Sequence, residues 1–238
     1  SGASCARCCQ CGVCAWPMLS GFHPGAFGST TMVAERAACL LIQFAREPVA
    51  GAVKTRMTPS LTPEQALDLH CELVLWTAGT LARAGLGPVE VAVAGSATHA
   101  LFEDCLALGV SGLVSQQGAD LGERMYNAIV AGLERFERVV LVGSDCPGID
   151  ADYLQRALGG LDQADLVLGP ATDGGYVLIG VKRVSWELFE GIPWGSATVL
   201  AETLQRLRRM NWRWNTLPPL ADIDRPEDLV VWEAMRGA

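Results

Sequence analysis

Lysine and histidine are scarce in this chain, and their scarcity limits the chemistry that it can carry. The 238 residues contain two lysines, Lys54 and Lys182, and the formal net charge is −8. An acidic chain without a stripe of Lys and Arg is a poor nucleic-acid binder, so we expect no nucleic-acid partner. The histidines, His23, His70 and His99, stand far apart in the sequence. This spacing argues against a catalytic triad and against a zinc site in the body of the chain.

Long hydrophobic runs and the standard glycine-rich nucleotide motifs are missing as well. No apolar run approaches the roughly 20 residues that a membrane helix needs, so we expect no membrane span. Neither G-x-x-x-x-G-K-[ST] nor G-x-G-x-x-G occurs, and Ser144 lacks the G-x-S-x-G elbow of α/β-hydrolases. A nucleotide site in this chain would therefore use a different phosphate-binding loop.

The nine cysteines divide into two groups with different interpretations. Five crowd the first fourteen residues, where their C-x-x-C spacings can bind zinc but lack a distant second pair. We therefore predict that residues 1–35 are a disordered or non-native Cys-rich leader. The other four stand singly in apolar segments, as small buried side chains do in a reducing, cytoplasmic compartment. These four are Cys39, Cys71, Cys105 and Cys146.

From residue 36 to residue 238, apolar strands alternate with amphipathic helices. This alternation predicts a single α/β domain with a mainly parallel sheet. Short apolar runs bounded by Gly and Pro predict strands at 37–45, 89–95, 113–115, 139–143, 165–169, 176–180 and 212–217. Periodicity and caps predict helices at 63–85, 98–108 and 121–133, after residue 150, at 185–190 and 197–210, and a last helix entered from 220–229.

The strand predicted at 139–143 carries the first candidate catalytic residue. Its four apolar residues run into Gly-Ser-Asp145, so Asp145 lies at the carboxyl end of a strand buried on both faces. Ligands of open α/β sheets bind outside these strand ends, although an Asp that only caps a turn is the alternative. Carboxylates hold Mg²⁺ or Mn²⁺ together with phosphate oxygens, which makes Asp145 a candidate metal ligand.

Three further aspartates lie in turns beside predicted strand ends and could supply a second carboxylate. They are Asp173, Asp222 and Asp224. Two of them also have purely structural interpretations. Asp173 opens an Asp-Gly-Gly hairpin turn, and Asp224 with Glu227 matches a helix capping box.

The loop after the first strand is a candidate phosphate site. It joins Gly51, Lys54, Thr55 and Arg56 within six residues. A glycine lets backbone N–H groups approach a phosphate, and Lys and Arg neutralise its charge. A solvated loop with ordinary surface charges is the alternative.

The start of the helix at 121–133 is a second candidate for anion binding. Free N–H groups at a helix start favour anions, and Arg124 could contact phosphate or substrate. A plain capping box of Asp120 and Glu123 is the alternative. That alternative does not explain Gly122, because glycine in a first turn costs helix stability.

Six segments in order along the chain carry a resemblance to a known family. They are 44–56, 120–125, 143–148, 169–176, 192–194 and 222–229. Together they resemble the bacterial transferases called radical-SAM/selenodomain-associated, or arsenosugar-biosynthesis, glycosyltransferases, over about residues 38–235. That family is similar to GT-A nucleotide-diphospho-sugar transferases and to small nucleotidyltransferases such as the molybdenum-cofactor and phospholactate guanylyltransferases.

The resemblance implies a GT-A-like three-layer α/β/α sandwich with a mainly parallel central sheet. It implies that Gly51, Lys54 and Arg56 lie near the nucleotide phosphates. It gives Asp145 and Asp224 the role of Mg²⁺ or Mn²⁺ ligands. The acceptor side would be formed by Asp173, also a candidate catalytic residue, with Gly174, Gly175 and Tyr176.

Taken together, these observations predict a metal-dependent glycosyltransferase that uses a nucleotide-diphospho-sugar donor and a small-molecule acceptor. A nucleotidyltransferase that releases pyrophosphate from a nucleoside triphosphate is the first alternative, because both reactions need the same cations around a diphosphate. A nucleotide-binding regulatory protein without turnover is the second. The fold class alone does not decide among them.

Overall fold

A computed structural model of the chain describes residues 38–58 and 60–237, which lie in one compact unit. The leader predicted at 1–35 lies outside the described residues. The strands are β1 Leu40–Arg46, β2 Val89–Ala94, β3 Gly112–Ser115, β4 Val139–Val142, β5 Leu166–Pro170, β6 Tyr176–Val181 and β7 Trp214–Thr216. The α-helices are α1 Pro63–Ala84, α2 Ala100–Ala107, α3 Leu121–Leu133, α4 Ala151–Gln163, α5 Val199–Arg209 and α6 Leu229–Arg236.

The strands form one sheet in the order β3-β2-β1-β4-β6-β5-β7. Its pairs are parallel except that β6 runs antiparallel to both β4 and β5. The predicted mainly parallel α/β fold is therefore confirmed. From β1 the chain adds β2 and β3 on one side, and β4 then pairs with β1 on the other side. This reversal makes the carboxyl ends of β1 and β4 a switch point, where open α/β sheets bind ligands.

Helices cover both faces of the sheet, which gives three layers. On one face, apolar side chains of α1, α2 and α4 pack against the strands, and on the other face those of α3 and α5 do so. All four residues of β4 are buried, as its unbroken apolar run predicts. Helix α6 packs on α1, where Trp232 and Leu73 share a small third cluster.

Most predicted elements are confirmed, and the exceptions have local reasons. The helix predicted at 185–190 is only a 3-10 turn, Trp186–Leu188, because the chain turns at Gly191 with φ 65° and Pro193 follows. At the start of α1 the predicted capping box is present, with Thr62 and Gln65 exchanging two hydrogen bonds. Over residues 38–58 and 60–237, no helix combines the length and apolarity that crossing a membrane requires.

The four scattered cysteines are free thiols in this structure. Cys39, Cys105 and Cys146 are buried, as predicted, while Cys71 on α1 is half-buried. Burial raises the pKa of the Cys146 thiol to about 12, with a smaller contribution from Asp222. These thiols act as small apolar core side chains. The cysteines of the N-terminal group lie outside the described residues.

Candidate active site

Lys54 lies at the centre of a charged cluster at the switch point. Its Nζ is 2.5 Å from Asp145 Oδ1 and 3.0 Å from Asp224 Oδ1, and it donates a hydrogen bond to the carbonyl of Ile223 at 2.6 Å. Arg56 approaches Asp224 Oδ2 from outside at 3.5 Å. We call Lys54, Arg56, Asp145 and Asp224 the Lys54 cluster.

The Lys54 side chain is only 3% exposed, whereas those of Asp145 and Asp224 are 45% and 37% exposed. Burial by itself lowers the pKa of Lys54, but the charges and hydrogen bonds of the two aspartates outweigh it, so the pKa is raised. The ammonium therefore stays charged at neutral pH. Its backbone adopts φ 50°, a left-handed conformation that costs non-glycine residues about 1 kcal/mol or more. Its contacts to the two carboxylates offset that cost.

The turn that carries Asp145 is anchored to side chains of β1 and α1. The Gln43 side chain donates a hydrogen bond to Ser144 Oγ at 2.9 Å, and Trp76 Nε1 donates to the carbonyl of Pro147 at 3.2 Å. Gln43 and Ser144 are buried. Hydrogen bonds on both sides of Asp145 thus hold its carboxylate at the end of β4.

The segment that carries Asp224 is tied directly to the Asp145 turn. The N–H of Ile223 donates to the carbonyl of Asp145 at 2.8 Å. The capping box of Asp224 with Glu227, the structural alternative for Asp224, does not form, because Asp228 Oδ2 instead accepts hydrogen bonds from the N–H groups of Asp224 and Arg225. Because the Asp228 carboxylate accepts the backbone hydrogen bonds of this turn, the carboxylate of Asp224 is available to Lys54.

A small cavity opens beside the Lys54 cluster, between the β5–β6 turn, the start of α3 and the segment before α5. Its volume is about 150 Å³. The side chains that give it chemical character are Asp173, Asp222, Tyr176 and Trp194. We call it the acidic cavity, because among the described residues that line it there is no Lys or Arg.

Asp222 connects the acidic cavity to the Lys54 cluster electrostatically. Burial raises its pKa to about 7, and the nearby charges of Asp145, Asp224 and Asp173 add to the effect. Lys54 offsets only part of it. In the described parts of the chain no Lys or Arg forms an ion pair with Asp222, so this carboxyl group is shared between its charged and neutral forms near neutral pH.

The predicted acceptor side, residues 173–176, forms the turn between β5 and β6. Asp173 Oδ1 accepts a hydrogen bond from the N–H of Gly175 at 3.0 Å, so the predicted hairpin turn is present. Gly174 adopts φ 94°, and a side chain there would collide with the carbonyl of Ala197. Asp173, Gly175 and Tyr176 line the acidic cavity. The turn is therefore both structural and part of the cavity wall.

The candidate residues at the start of α3 have packing roles of their own. Gly122 lies against the indole of Trp194, where a Cβ atom would come 2.5 Å from Nε1. This contact explains a glycine in the first turn of a helix. Arg124 Nε donates to the carbonyl of Gly118 at 3.0 Å, which directs its guanidinium toward its own loop. Asp120 caps the helix by accepting from the N–H of Glu123 at 2.8 Å.

The remaining residues of the phosphate-loop prediction lie on the surface near Lys54. Gly51 is exposed with φ 76°, and Thr55 opens the 3-10 turn Thr55–Met57. Met57 is fully buried and anchors this turn to the core below α1. The loop thus presents its polar residues at the switch point from a fixed apolar base.

The donors of the Lys54 cluster suit a hard divalent cation. Asp145 and Asp224 each direct one oxygen at the same point, and Mg²⁺ takes one or two protein carboxylates and completes its shell with water and phosphate oxygens. Over residues 38–58 and 60–237, no group of three or more His, Cys, Asp or Glu side chains is arranged to hold a metal ion alone. The chemistry of the donors fits the predicted ion, and the Lys54 ammonium lies at the point where they converge.

Two site residues carry more weight in the structure than in the sequence prediction. Asp222 is one of three candidate carboxylates, and nothing in the sequence shows that it would be the half-buried one with a raised pKa. Trp194 lies in one of the six family-like segments, but no spacing rule connects it to Gly122, 72 residues away. Their roles depend on contacts between distant segments, which local patterns do not report.

Comparison with known proteins identifies related chains. Residues 77–196 match the family described as "Uncharacterized protein conserved in bacteria (DUF2064)". A solved structure from Desulfovibrio desulfuricans G20, provisionally assigned as a nucleotide-diphospho-sugar transferase, is 32% identical with a TM-score of 0.75. The match covers 84% of this chain and 88% of that chain. This similarity agrees with the α/β fold described above.

Two other proteins extend the comparison. The 2-phospho-L-lactate guanylyltransferase of Methanothermobacter thermautotrophicus is 29% identical over 137 residues, so the match spans 58% of this chain and 58% of that relative's length. A 4-diphosphocytidyl-2C-methyl-D-erythritol synthase from Anaerococcus prevotii has a TM-score of 0.58 at 9% identity, over 85% of this chain and 99% of that one. The second similarity concerns the fold alone.

Proposed function

The chain belongs to the family described as "Uncharacterized protein conserved in bacteria (DUF2064)", and from that premise we propose that it is a transferase acting on a nucleotide-activated substrate. Its relatives include a provisionally assigned nucleotide-diphospho-sugar transferase and a guanylyltransferase. Both names describe transferases of nucleotide-linked groups. The reaction that we favour is glycosyl transfer, in which an acceptor hydroxyl attacks the anomeric carbon and a nucleoside diphosphate leaves.

The observation that carries the proposal is the convergence of Lys54, Asp145 and Asp224 at the switch point of the sheet. Asp145 and Asp224 would hold Mg²⁺ or Mn²⁺, and Lys54 and Arg56 would contact the phosphates of the nucleotide. A bound divalent ion would neutralise the negative charge that develops on a diphosphate leaving group. The chain's own residues hold the nucleotide and orient it toward the acidic cavity.

The chemistry of the acidic cavity favours glycosyl transfer over transfer to a phosphorylated acid. A carboxylate accepts hydrogen bonds and a protonated carboxyl group also donates one, so Asp173 and Asp222 suit the hydroxyl groups of a sugar or a sugar-like acceptor. A doubly charged phosphate placed there would meet the Asp173 carboxylate and a partly ionised Asp222, without a neighbouring Lys or Arg among the described residues of the cavity wall. Such an arrangement is unfavourable in a partly buried site.

Nucleotidyl transfer is the second candidate, and the similarity to the guanylyltransferase supports it. In that reaction an acceptor oxygen attacks the α-phosphate of a nucleoside triphosphate, and pyrophosphate leaves. The Lys54 cluster would serve this reaction equally well, because in both reactions negative charge develops on a leaving group that contains two linked phosphates. The radical-SAM or arsenosugar association and the cytoplasmic location stay predictions from the sequence.

A thermal-shift panel of nucleoside triphosphates and nucleotide-diphospho-sugars, with and without Mn²⁺, tests the proposal. We expect one nucleotide series to raise the melting temperature, with a larger shift when Mn²⁺ is present. Turnover assays with that nucleotide then compare hydroxylated acceptors with 2-phospho-L-lactate. Release of a nucleoside diphosphate supports glycosyl transfer, and release of pyrophosphate supports the second candidate. No stabilisation by any nucleotide would contradict both.

A further inference from the structure

The hydrogen-bonding capacity of Lys54 is fully used within the protein. A lysine ammonium has three N–H donors. In this structure the ammonium contacts three oxygens at 2.5, 2.6 and 3.0 Å, from Asp145, Ile223 and Asp224. Lys54 must therefore give up at least one of these contacts before it can donate to a phosphate.

The position of Lys54 is also the one that a divalent ion would take. Both carboxylates direct one oxygen at Nζ, so a divalent ion that bound these two oxygens would take the place of the ammonium. An ammonium and a divalent ion that shared these oxygens would lie within a few ångströms of each other and repel strongly. Arg56 differs, because its side chain is 56% exposed and approaches only the outer oxygen of Asp224.

We propose that Lys54 is the resident counter-ion of Asp145 and Asp224 and competes with the divalent ion, which binds more tightly once a nucleotide phosphate draws the ammonium away. This inference rests on the proposed function for the presence of a nucleotide, but its central claim concerns the metal alone. It makes metal and nucleotide binding mutually reinforcing.

Mn²⁺ binding to the full chain without nucleotide, measured by isothermal calorimetry, is the decisive experiment. We expect Lys54→Met to bind Mn²⁺ about tenfold or more tightly than the unaltered protein, within the range typical of coupled sites. Lys182→Met makes the same charge change at the far end of β6 and should leave the affinity unchanged. Adding Asp145→Asn to Lys54→Met should abolish the increase in Mn²⁺ affinity. That loss would show that the additional Mn²⁺ affinity arises at Asp145 and Asp224.

Lys54→Met and Lys54→Gln should both melt at a lower temperature than the unaltered protein without metal, and Mn²⁺ should restore much of the loss. If the folded variants bind Mn²⁺ no more tightly than the unaltered protein, the competition is wrong. Failure of the proposed function looks different, because the unaltered protein would then bind no nucleotide under any metal condition.

The unaltered protein offers a measurement that does not depend on any variant. Because the chain has two lysines, labelling with a lysine-acylating reagent can be followed at Lys54 with Lys182 as internal reference. We expect saturating Mn²⁺ to increase labelling of Lys54, since the displaced ammonium becomes accessible. Unchanged labelling of Lys54 while Mn²⁺ is bound would overturn the inference.

Discussion

The Lys54 cluster and the acidic cavity lie side by side at the carboxyl ends of the strands. They differ in whether their carboxylates have a cationic partner. In the cluster, Asp145 and Asp224 face a buried ammonium at 2.5 and 3.0 Å. In the cavity, Asp173 and Asp222 line a wall without Lys or Arg among its described residues, and aromatic rings complete it. Burial, together with the charges of Asp145, Asp224 and Asp173, raises the pKa of Asp222 to about 7.

This difference separates two kinds of ligand chemistry. A site with matched charges can exchange its internal cation for a metal ion and a phosphate at small net cost, since each charge keeps a partner. A site with unmatched carboxylates favours hydroxyl donors and disfavours anions. The two regions therefore suit the two halves of a nucleotide-activated reaction, with the phosphates over the cluster and the hydroxylated group in the cavity.

The largest expected effect comes from removing a charge from the cluster. We expect Asp145→Asn to lower turnover by about 100-fold or more, the cost typical of losing one preorganised charge-stabilising group. Nucleotide-dependent stabilisation by Mn²⁺ should also disappear. Turnover assays and thermal shifts measure both effects.

Asp150→Asn is the matched control, because it makes the same change five residues away. Asp150 caps α4 by accepting from the N–H of Tyr153 at 2.7 Å, and Asn is an equally good cap. Its turnover should equal that of the unaltered protein. If Asp145→Asn behaves like Asp150→Asn, Asp145 has no role in the reaction.

An intermediate effect, on stability, is expected from a substitution at Gly122, where α3 meets the wall of the acidic cavity. In Gly122→Ala the new methyl group would crowd the Trp194 indole, and overpacking of this kind costs about 1–3 kcal/mol. The better helix propensity of Ala returns at most about 1 kcal/mol. Urea denaturation should therefore show a net loss of stability.

Trp194→Ala distinguishes packing from phosphate binding at Gly122. In that background the methyl group has space, so adding Gly122→Ala should no longer lower stability. If Gly122 instead contacts a phosphate, Gly122→Ala should weaken nucleotide binding even when Trp194 is absent. That result would support the predicted role of the start of α3 in phosphate binding.

The smallest effect is expected from the support beneath the cluster. Asp228→Ala removes the acceptor for the N–H groups of Asp224 and Arg225, and loss of a cap of this type costs about 1 kcal/mol. Denaturation should show that loss, while nucleotide affinity should fall far less than in Asp224→Ala. Equal losses of affinity would mean that Asp228, and not the backbone hydrogen bond from Ile223 to Asp145, sets the position of Asp224.

Much of the fold follows from local patterns. Unbroken apolar runs identify strands buried on both faces, and caps such as Thr62 with Gln65 mark helix starts. The same patterns place Asp145 after β4 and Lys54 in the loop after β1, at strand ends that parallel sheets use for ligands. The errors fall where local signals are short, as at 185–190, or where a nearby residue competes for the same role, as Asp228 does with Asp224.

Local sequence patterns establish which chemical groups this protein offers: an acidic chain with two lysines, one of them in a Gly-containing loop, and aspartates in turns after apolar strands. Which of these groups come into contact depends on how the strands and loops pack. Asp224 reaches Lys54 from 170 residues away because the Ile223 backbone binds the Asp145 turn, and Asp222 is half-buried because its segment lies against the β5–β6 turn. Such contacts depend on strand order and packing between distant segments, and hydrophobic period and capping patterns, being local, do not specify them.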